Sequence, residues 1–164
     1  MNISQWLFPL SPAGIGTALL CGFIIGLERQ LSGKAAGIRT STLICMGAYF
    51  FTSISHLLSE DADSARVIGQ IITGIGFIGA GVIIGREGIV LGVTTAAVIW
   101  VLAAIGIMIG LGRGITAIIV SAMTVALLTG VNIMEYIFKS LQRGVHKKLS
   151  REAKPSAKVN EKED

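Results

Sequence analysis

The chain has 164 residues, of which 52% are hydrophobic and 15% charged, and its formal net charge is +4. A mean hydropathy of +0.72 is too high for an ordinary soluble domain of this length. The composition therefore argues against a soluble enzyme or binding module and predicts a membrane protein.

Five uncharged runs follow one another along the chain, each close to the roughly 20 residues that a helix needs to cross about 30 Å of hydrocarbon. No basic residue precedes the first apolar run, so it does not have the charge order of a cleaved signal peptide. The sequence predicts an all-α membrane protein with a five-helix transmembrane domain over residues 1–138. The predicted spans are residues 12–27, 40–58, 67–85, 90–111 and 114–137.

Basic residues set the predicted orientation of these helices. A five-span arrangement places twelve Lys and Arg on one side of the membrane. The other side receives two, Arg66 and Arg113. Cytoplasmic loops carry the excess of basic residues, so the N-terminus is predicted outside and the C-terminus in the cytoplasm. Residues 139–164 hold eight Lys and Arg and four acidic residues and predict a charged, disordered cytoplasmic tail, with a docking segment for a cytoplasmic partner as the alternative.

Two parts of the chain resemble each other. The sequence GFIIG at 22–26 returns as GVIIG at 81–85, and residues 37–44 resemble residues 92–99. Helices 1–2 and helices 3–4 are therefore predicted to form a parallel repeat, with chance similarity between glycine-rich segments as the alternative.

The repeat predicts that two helix starts lie side by side at the cytoplasmic face. Arg39 and Thr40 belong to one start, and Thr94 and Thr95 belong to the other. Free amides and positive dipole ends favour an anion, so a pocket for a phosphate or carboxylate group is one hypothesis, and ordinary helix capping is the alternative. Arg29 and Arg86 are expected nearby. Glu28, at the end of helix 1, is a further candidate functional polar residue.

A literal G-x-G-x-x-G occupies residues 74–79, but no acidic residue follows it between Gly88 and Met134 to bind a ribose. The glycines are interpreted as close-packing positions in a membrane helix. Arg66, Gln70 and Thr73 share a helical face with Gly74. These polar residues either make structural contacts with neighbouring helices or line a functional groove. The predicted helix-packing residues are Gly74, Gly76, Gly79, Gly81, Gly85, Gly106 and Gly110.

Residues typical of catalysis and metal binding are sparse. The histidines are His56 and His146, and the cysteines Cys21 and Cys45 both fall inside predicted spans. No nucleophile and base can be paired convincingly, and no acidic residue lies in the middle of a span. The sequence predicts a protein that is not an enzyme and that has no catalytic residues, cofactor or dedicated metal site.

Several segments, taken together and in order, resemble the MgtC/SapB family of bacterial membrane proteins over residues 22–112. The segments are residues 26–30 (GLERQ), 37–40 (GIRT), 70–81 (QIITGIGFIGAG) and 94–97 (TTAA), followed by Trp100 and residues 103–106 (AAIG). The resemblance implies a multi-pass protein of the bacterial inner (plasma) membrane, linked to magnesium or acid stress. Thr94 and Val101 differ from the asparagine and cysteine found in other members, and the chain resembles a short form that lacks the C-terminal cytoplasmic domain.

These observations predict a non-enzymatic inner-membrane regulator of the MgtC/SapB type. Its expected partners are membrane lipids and other membrane proteins or a second copy of the chain, and no nucleic acid. The alternative is a small-ion or solute transporter or channel that uses the face of Arg66 and Gln70.

Overall fold

The computed structural model describes residues 8–55, 61–86 and 89–137, and this part of the chain is mostly helical. By internal contacts the chain divides into two units, residues 1–126 and 127–164. Four of the described helices, α1, α3, α4 and α5, are long and apolar enough to cross a membrane. The elements are α1 Pro12–Leu31, α2 Ile38–Ser55, α3 Asp61–Gly81, β1 Ile84–Arg86, β2 Ile89–Leu91, α4 Val93–Gly110 and α5 Gly114–Ile137.

Helix α2 departs from the prediction of five apolar spans. It corresponds to the predicted span 40–58, but it is not among the four helices that meet the length and hydropathy expected of a membrane crossing. Its polar residues lower its mean hydropathy, and four of them, Ser41, Thr52, Ser53 and Ser55, are buried within the protein. Helix α2 packs extensively against both α1 and α4, so these four side chains face protein.

The start of α1 is fixed by local and long-range hydrogen bonds. The Ser11 side chain caps the helix by accepting a hydrogen bond from the Gly14 amide at 2.9 Å, and Pro12 takes the first helical position. The Tyr49 hydroxyl of α2 accepts from the Ser11 amide at 2.9 Å and donates to the Ser11 carbonyl at 3.2 Å. This pair of contacts joins the beginning of α1 to the later half of α2.

The boundaries of several helices differ from the predicted spans. Helix α1 continues to Leu31, four residues beyond its predicted end, so Glu28 and Arg29 are helical. Helix α3 begins at Asp61 and ends at Gly81, whereas the predicted span covered 67–85. The acidic side chains before Ser64 and the residues 56–60 lie outside the described part.

A small antiparallel hairpin interrupts the predicted all-α order between α3 and α4. Strand β1 pairs with β2, with Ile84 opposite Leu91 and Arg86 opposite Ile89. β-Branched residues favour this extended pairing over continuation of the helix. Gly92 then begins α4 with φ of 88°, and a Cβ there would collide with the Val82 carbonyl oxygen, so the position requires glycine.

One hydrophobic cluster within residues 1–126 lies where α2, α3 and α4 meet. Ala48 of α2 packs with Ala103 and Ile107 of α4, and partly buried isoleucines of α3 cover this cluster. These isoleucines are Ile68, Ile71 and Ile75. Helix α3 nevertheless contacts α4 more extensively than α2, which leaves space between α2 and α3.

The second unit is described only from Leu127 to the end of α5, where the chain remains helical. The predicted cytoplasmic tail, residues 139–164, lies outside the described residues, and its disorder stays a prediction.

Candidate functional site

A buried polar junction joins the end of α1 to the beginning of α4. The Arg29 side chain is 3% exposed, and its Nη2 donates a 2.7 Å hydrogen bond to Oγ1 of Thr95. Thr95 lies in the first helical turn of α4, and its side chain is also buried. The structure thus brings together two of the sequence-predicted polar residues, and it links helices that are otherwise in modest contact.

Charge compensation at this junction comes from the neighbouring carboxylate. A guanidinium beside the N-terminus of α4 meets the positive end of the helix dipole, which is unfavourable without a nearby negative charge. Glu28 interacts electrostatically with Arg29, and Ser32 Oγ donates to Glu28 Oε1 at 2.8 Å. Thr95 of α4 therefore accepts a hydrogen bond from the guanidinium, and Glu28 of α1 supplies a nearby negative charge.

The beginning of α2 lies against the same part of α1. A Cβ built on Gly26 would lie 2.6 Å from the Ile38 Cα, and the Gln30 side chain accepts from the Ile38 amide at 3.4 Å. Arg39 and Thr40 follow in the first turn of α2 and are exposed. Both helix starts thus contact the last turns of α1, in agreement with their predicted proximity to Arg29.

The structure brings only some of the residues of the predicted anion pocket to these helix starts. Arg29 points to the start of α4, and its buried Nε has no hydrogen-bond partner in the described part of the chain. Thr94 and Arg39 are both exposed. The Arg86 side chain is not described. Anion binding at this end of the protein stays a prediction.

A groove of about 950 Å³ runs between α2 and α3. Arg66 and Gln70 of α3 line it, as the shared helical face predicts, together with Thr40 and Phe51 of α2. Its floor is formed by apolar side chains of the core, and Gly47 and Gly74 leave it wide. The floor residues are Ile44, Ala48, Ile71 and Ile75.

The predicted helix-packing glycines fall into two groups. A Cβ on Gly106 would collide with the Cys45 carbonyl, and one on Gly110 would lie 2.5 Å from the Thr52 Cβ, so α4 approaches α2 closely at both positions. Gly79 is buried, and a Cβ on it would make an ordinary 3.7 Å contact with Ala96 of α4. At Gly74, Gly76, Gly81 and Gly85 a Cβ would have no neighbour within 4 Å in the described part of the chain, so helix packing there stays a prediction.

The glycine pair of α1, which the repeat equates with Gly81 and Gly85, is in contact with α2. A Cβ on Gly22 would lie 2.6 Å from the Thr42 Cα, much as Gly26 meets Ile38. Gly85 instead lies in β1, because α3 ends at Gly81. The two similar segments, residues 22–26 and 81–85, therefore have different structural surroundings.

Within the described ranges, no group of three or more His, Cys, Asp or Glu side chains is placed to hold a metal ion. Among the residues that line the groove, Arg66 is the one with a charged side chain. A guanidinium repels a divalent cation, so these lining residues do not suit the direct capture of Mg²⁺.

The MgtC family model matches residues 15–137, which is more than half of the chain. The chain belongs to the MgtC family. The match includes most of α1, the two strands and all of α5, and so it extends beyond residues 22–112, where the sequence motifs were recognised.

Named relatives of this MgtC-family chain come from several bacteria. It is 38% identical over 136 residues to Protein MgtC of Brucella abortus (strain 2308), covering 80% of this chain and 56% of the relative. It is 42% identical over 141 residues to the "Putative magnesium transporter YhiD" of Escherichia coli (strain K12), covering 81% and 64%. Protein MgtC of Salmonella typhimurium (strain 14028s / SGSC 2262) is 47% identical over 97 residues, covering 58% and 41%.

The chain spans about half the length of these relatives, with 41% to 64% of each covered. No solved structure matches it. The family and its apolar helices together indicate a membrane location for this chain.

Sequence reasoning on this MgtC-family chain missed a stripe of small residues on the outer face of α3. Gly69, Thr73, Gly76 and Ala80 recur at the spacing of one helical face, and all four are exposed. The small-residue pattern could have been found from the sequence by testing this register. The sequence prediction named Gly76 as a helix-packing position but did not connect it with Gly69 and Ala80.

Proposed function

We propose that this MgtC-family protein is a non-enzymatic regulator in the bacterial inner membrane, linked to magnesium or acid stress, that acts by direct helix contact with other membrane proteins. The observation that carries the proposal is the small-residue stripe of α3, defined as Gly69, Thr73, Gly76 and Ala80. The family and the name of the Escherichia coli relative support the link to magnesium.

The small-residue stripe has the properties of a helix-contact surface. A Cβ on Gly69 or Gly76 would have no neighbour within 4 Å, so another backbone can approach closely. The Thr73 hydroxyl donates to the Gly69 carbonyl at 2.9 Å, which satisfies this polar group without help from lipid. In a membrane, helices associate through such small residues because close van der Waals packing replaces the weaker contacts with lipid tails.

Among the four described helices that could cross a membrane, α3 is the least buried. Of its apolar window, 6% is buried inside the protein, against 17% for α5, 39% for α1 and 50% for α4. A membrane helix that exposes both a glycine-rich stripe and large side chains such as Phe77 offers ridges and hollows to a second helix.

The same proposal includes a multi-pass arrangement with the N-terminus outside and the C-terminus in the cytoplasm. The excess of basic residues on one side supports it. Helices α2 and α4 lie at the centre, with α1 mainly against α2 and α3 mainly against α4, and this arrangement supports a parallel repeat of helices 1–2 and 3–4. Superposition of the two helix pairs by one rotation is the test of the repeat.

The test of regulation compares two glycine substitutions in cells whose growth in low-magnesium medium depends on this chain. Gly76→Leu fills the small-residue stripe, and it favours the helix because leucine has the higher helix propensity. Gly16→Leu is the matched control, since Gly16 is an exposed glycine of α1 with no neighbour within 4 Å. We expect Gly76→Leu to abolish growth and Gly16→Leu to preserve it, with equal amounts of both proteins in the membrane.

Purified protein in liposomes completes the test. We expect no Mg²⁺ flux above that of empty liposomes. Normal growth with Gly76→Leu, or saturable Mg²⁺ flux through the purified protein, would contradict regulation by helix contact.

Transport of a small ion or solute is the second candidate, because Arg66 and Gln70 line one groove. The guanidinium and amide suit an anion or a polar neutral solute better than Mg²⁺. If the protein is such a transporter, liposomes that contain it should show flux of an anion or polar neutral solute. Gln70→Ala should abolish this flux, and Gly76→Leu should leave it unchanged.

A further inference from the structure

The groove between α2 and α3 is polar at one end and mainly apolar along the rest of its length. Ser64 in the first turns of α3 donates to the Ser55 carbonyl at the end of α2 at 3.2 Å, so the two helices run antiparallel from this point. Arg66 and Gln70 therefore lie at the Phe51 end of the groove, and Thr40 lies at the other end. Between them the groove is lined by isoleucine, alanine and glycine.

The polar end of the groove lies close to the start of α3. Arg66 is five residues from the start of α3, which is about 7.5 Å along the helix. A long cationic side chain at this depth reaches the headgroup layer while its methylene groups stay in the apolar region. The rest of the groove, from Gln70 to Ile78, continues for about 12 Å towards the other membrane surface.

We infer that this groove binds an anionic phospholipid of the surrounding bilayer, with the headgroup phosphate at Arg66 and Gln70 and one acyl chain along the isoleucine floor. The lining is complementary to such a molecule because its charged residue is a cation at one end and its remaining length is mainly apolar. A net negative headgroup is favoured over a zwitterionic one, whose own cationic group is repelled by the guanidinium.

The groove and the small-residue stripe occupy different parts of α3. Arg66 and Gln70 line the groove. The stripe residues Gly69, Thr73 and Gly76 do not line it.

Glycine keeps the groove open in two places. Gly47 and Gly74 both line it, and a Cβ on either would have no neighbour within 4 Å. A larger side chain at Gly74 would occupy the space proposed for the acyl chain without a clash with the protein. This provides a substitution that blocks the lipid and leaves Arg66 in place.

The experiment measures lipid binding to the purified full chain in detergent by native mass spectrometry, after titration with phosphatidylglycerol or phosphatidylcholine. We expect one tightly bound phosphatidylglycerol per chain and much weaker binding of phosphatidylcholine. Arg66→Gln should weaken the binding of phosphatidylglycerol roughly fivefold or more, which is the effect of one basic side chain on an anionic headgroup. Gly74→Leu should abolish saturable binding.

Two controls distinguish this site from general attraction to the membrane. Arg113→Gln removes an exposed arginine from the same end of the protein, but Arg113 does not line the groove, so the affinity should stay within twofold of the original. Arg66→Lys retains the charge and should restore most of the binding. Helical circular dichroism establishes that each variant is folded.

Three results would overturn the inference. Equal affinities for the two lipids would remove the role of headgroup charge, and equal losses in Arg66→Gln and Arg113→Gln would remove the specific site. A dimer that carries no lipid and dissociates on Gly74→Leu would assign the groove to a second copy of the chain.

Discussion

Arg29 near the end of α1 and Thr95 in the first turn of α4 are 66 positions apart, and a 2.7 Å hydrogen bond joins their side chains inside the protein. A charged group in a membrane protein's interior is costly unless it has partners, so this contact constrains how α1 and α4 pack. Glu28 and Ser32 extend the network along α1. The position of the α4 start is therefore coupled to a buried charge on another helix.

Removal of the Thr95 hydroxyl should destabilise the protein. Thr95→Val keeps the shape of the side chain but deletes the acceptor of the Arg29 hydrogen bond, and hydrogen bonds to buried charges contribute about 2 kcal/mol. We expect the free energy of unfolding in detergent to fall by about this amount, with a clear decrease in the melting temperature.

Thr94 provides the matched control for this substitution. Its side chain is exposed one position earlier in the same helical turn, so Thr94→Val should change the free energy of unfolding by less than about 0.5 kcal/mol. Thr95→Ser, which retains the hydroxyl, should be closer to the original protein than Thr95→Val. Equal stability of Thr94→Val and Thr95→Val would show that the buried hydrogen bond contributes nothing.

Gly106 should tolerate no side chain, because α4 and α2 meet there backbone to backbone. A Cβ would collide with the Cys45 carbonyl and lie 2.7 Å from the Ala48 Cβ. Overpacking of this kind costs about 1–3 kcal/mol, so Gly106→Ala should lower the yield of folded protein in size-exclusion chromatography. Gly16→Ala adds the same methyl group in open space and should leave the yield unchanged or raise it.

The sequence predicted some features well because they depend on local rules. Helix starts near Gly37 and Gly92 follow from charge and glycine positions, and the helical spacing of Arg66 and Gln70 predicts their shared groove. The hydrogen bond between Arg29 and Thr95 could not be identified as a pair, because periodicity gives a residue's face but not the rotation of one helix relative to another.

Glycine density was the least reliable guide. Gly74, Gly76 and Gly81 have the spacing expected of a packing helix, yet no other part of the described chain lies close enough to meet a Cβ there. The sequence does not reveal whether a small residue faces a neighbouring helix, lipid or a partner. The hairpin of β1 and β2 was missed because each strand has three residues and lies at the edge of an apolar run that was assigned to a helix.

The Tyr49 hydroxyl should protect the first turn of α1 from opening. It both accepts from the Ser11 amide and donates to the Ser11 carbonyl, so Tyr49→Phe removes two hydrogen bonds while the ring remains. At about 1 kcal/mol for each bond, amide exchange near Ser11 should become roughly 10-fold to 30-fold faster. Hydrogen–deuterium exchange checks this, and unchanged exchange near Ser11 would contradict a role for these contacts. Exchange in α4 should stay as in the original protein.

Cysteine labelling in intact cells should decide the orientation of the helices. Arg39 at the start of α2 and Arg113 after α4 are both exposed, and the antiparallel helix order puts them at opposite ends of the bundle. With the cytoplasmic side defined by the basic residues, a membrane-impermeant maleimide should label Arg113→Cys in intact cells and Arg39→Cys only after the membrane is disrupted. The original chain is the background control, because Cys21 and Cys45 are buried at 1% and 0% exposure. The reverse pattern would invert the proposed orientation, and labelling of both positions from one side would refute the crossing of the membrane between them.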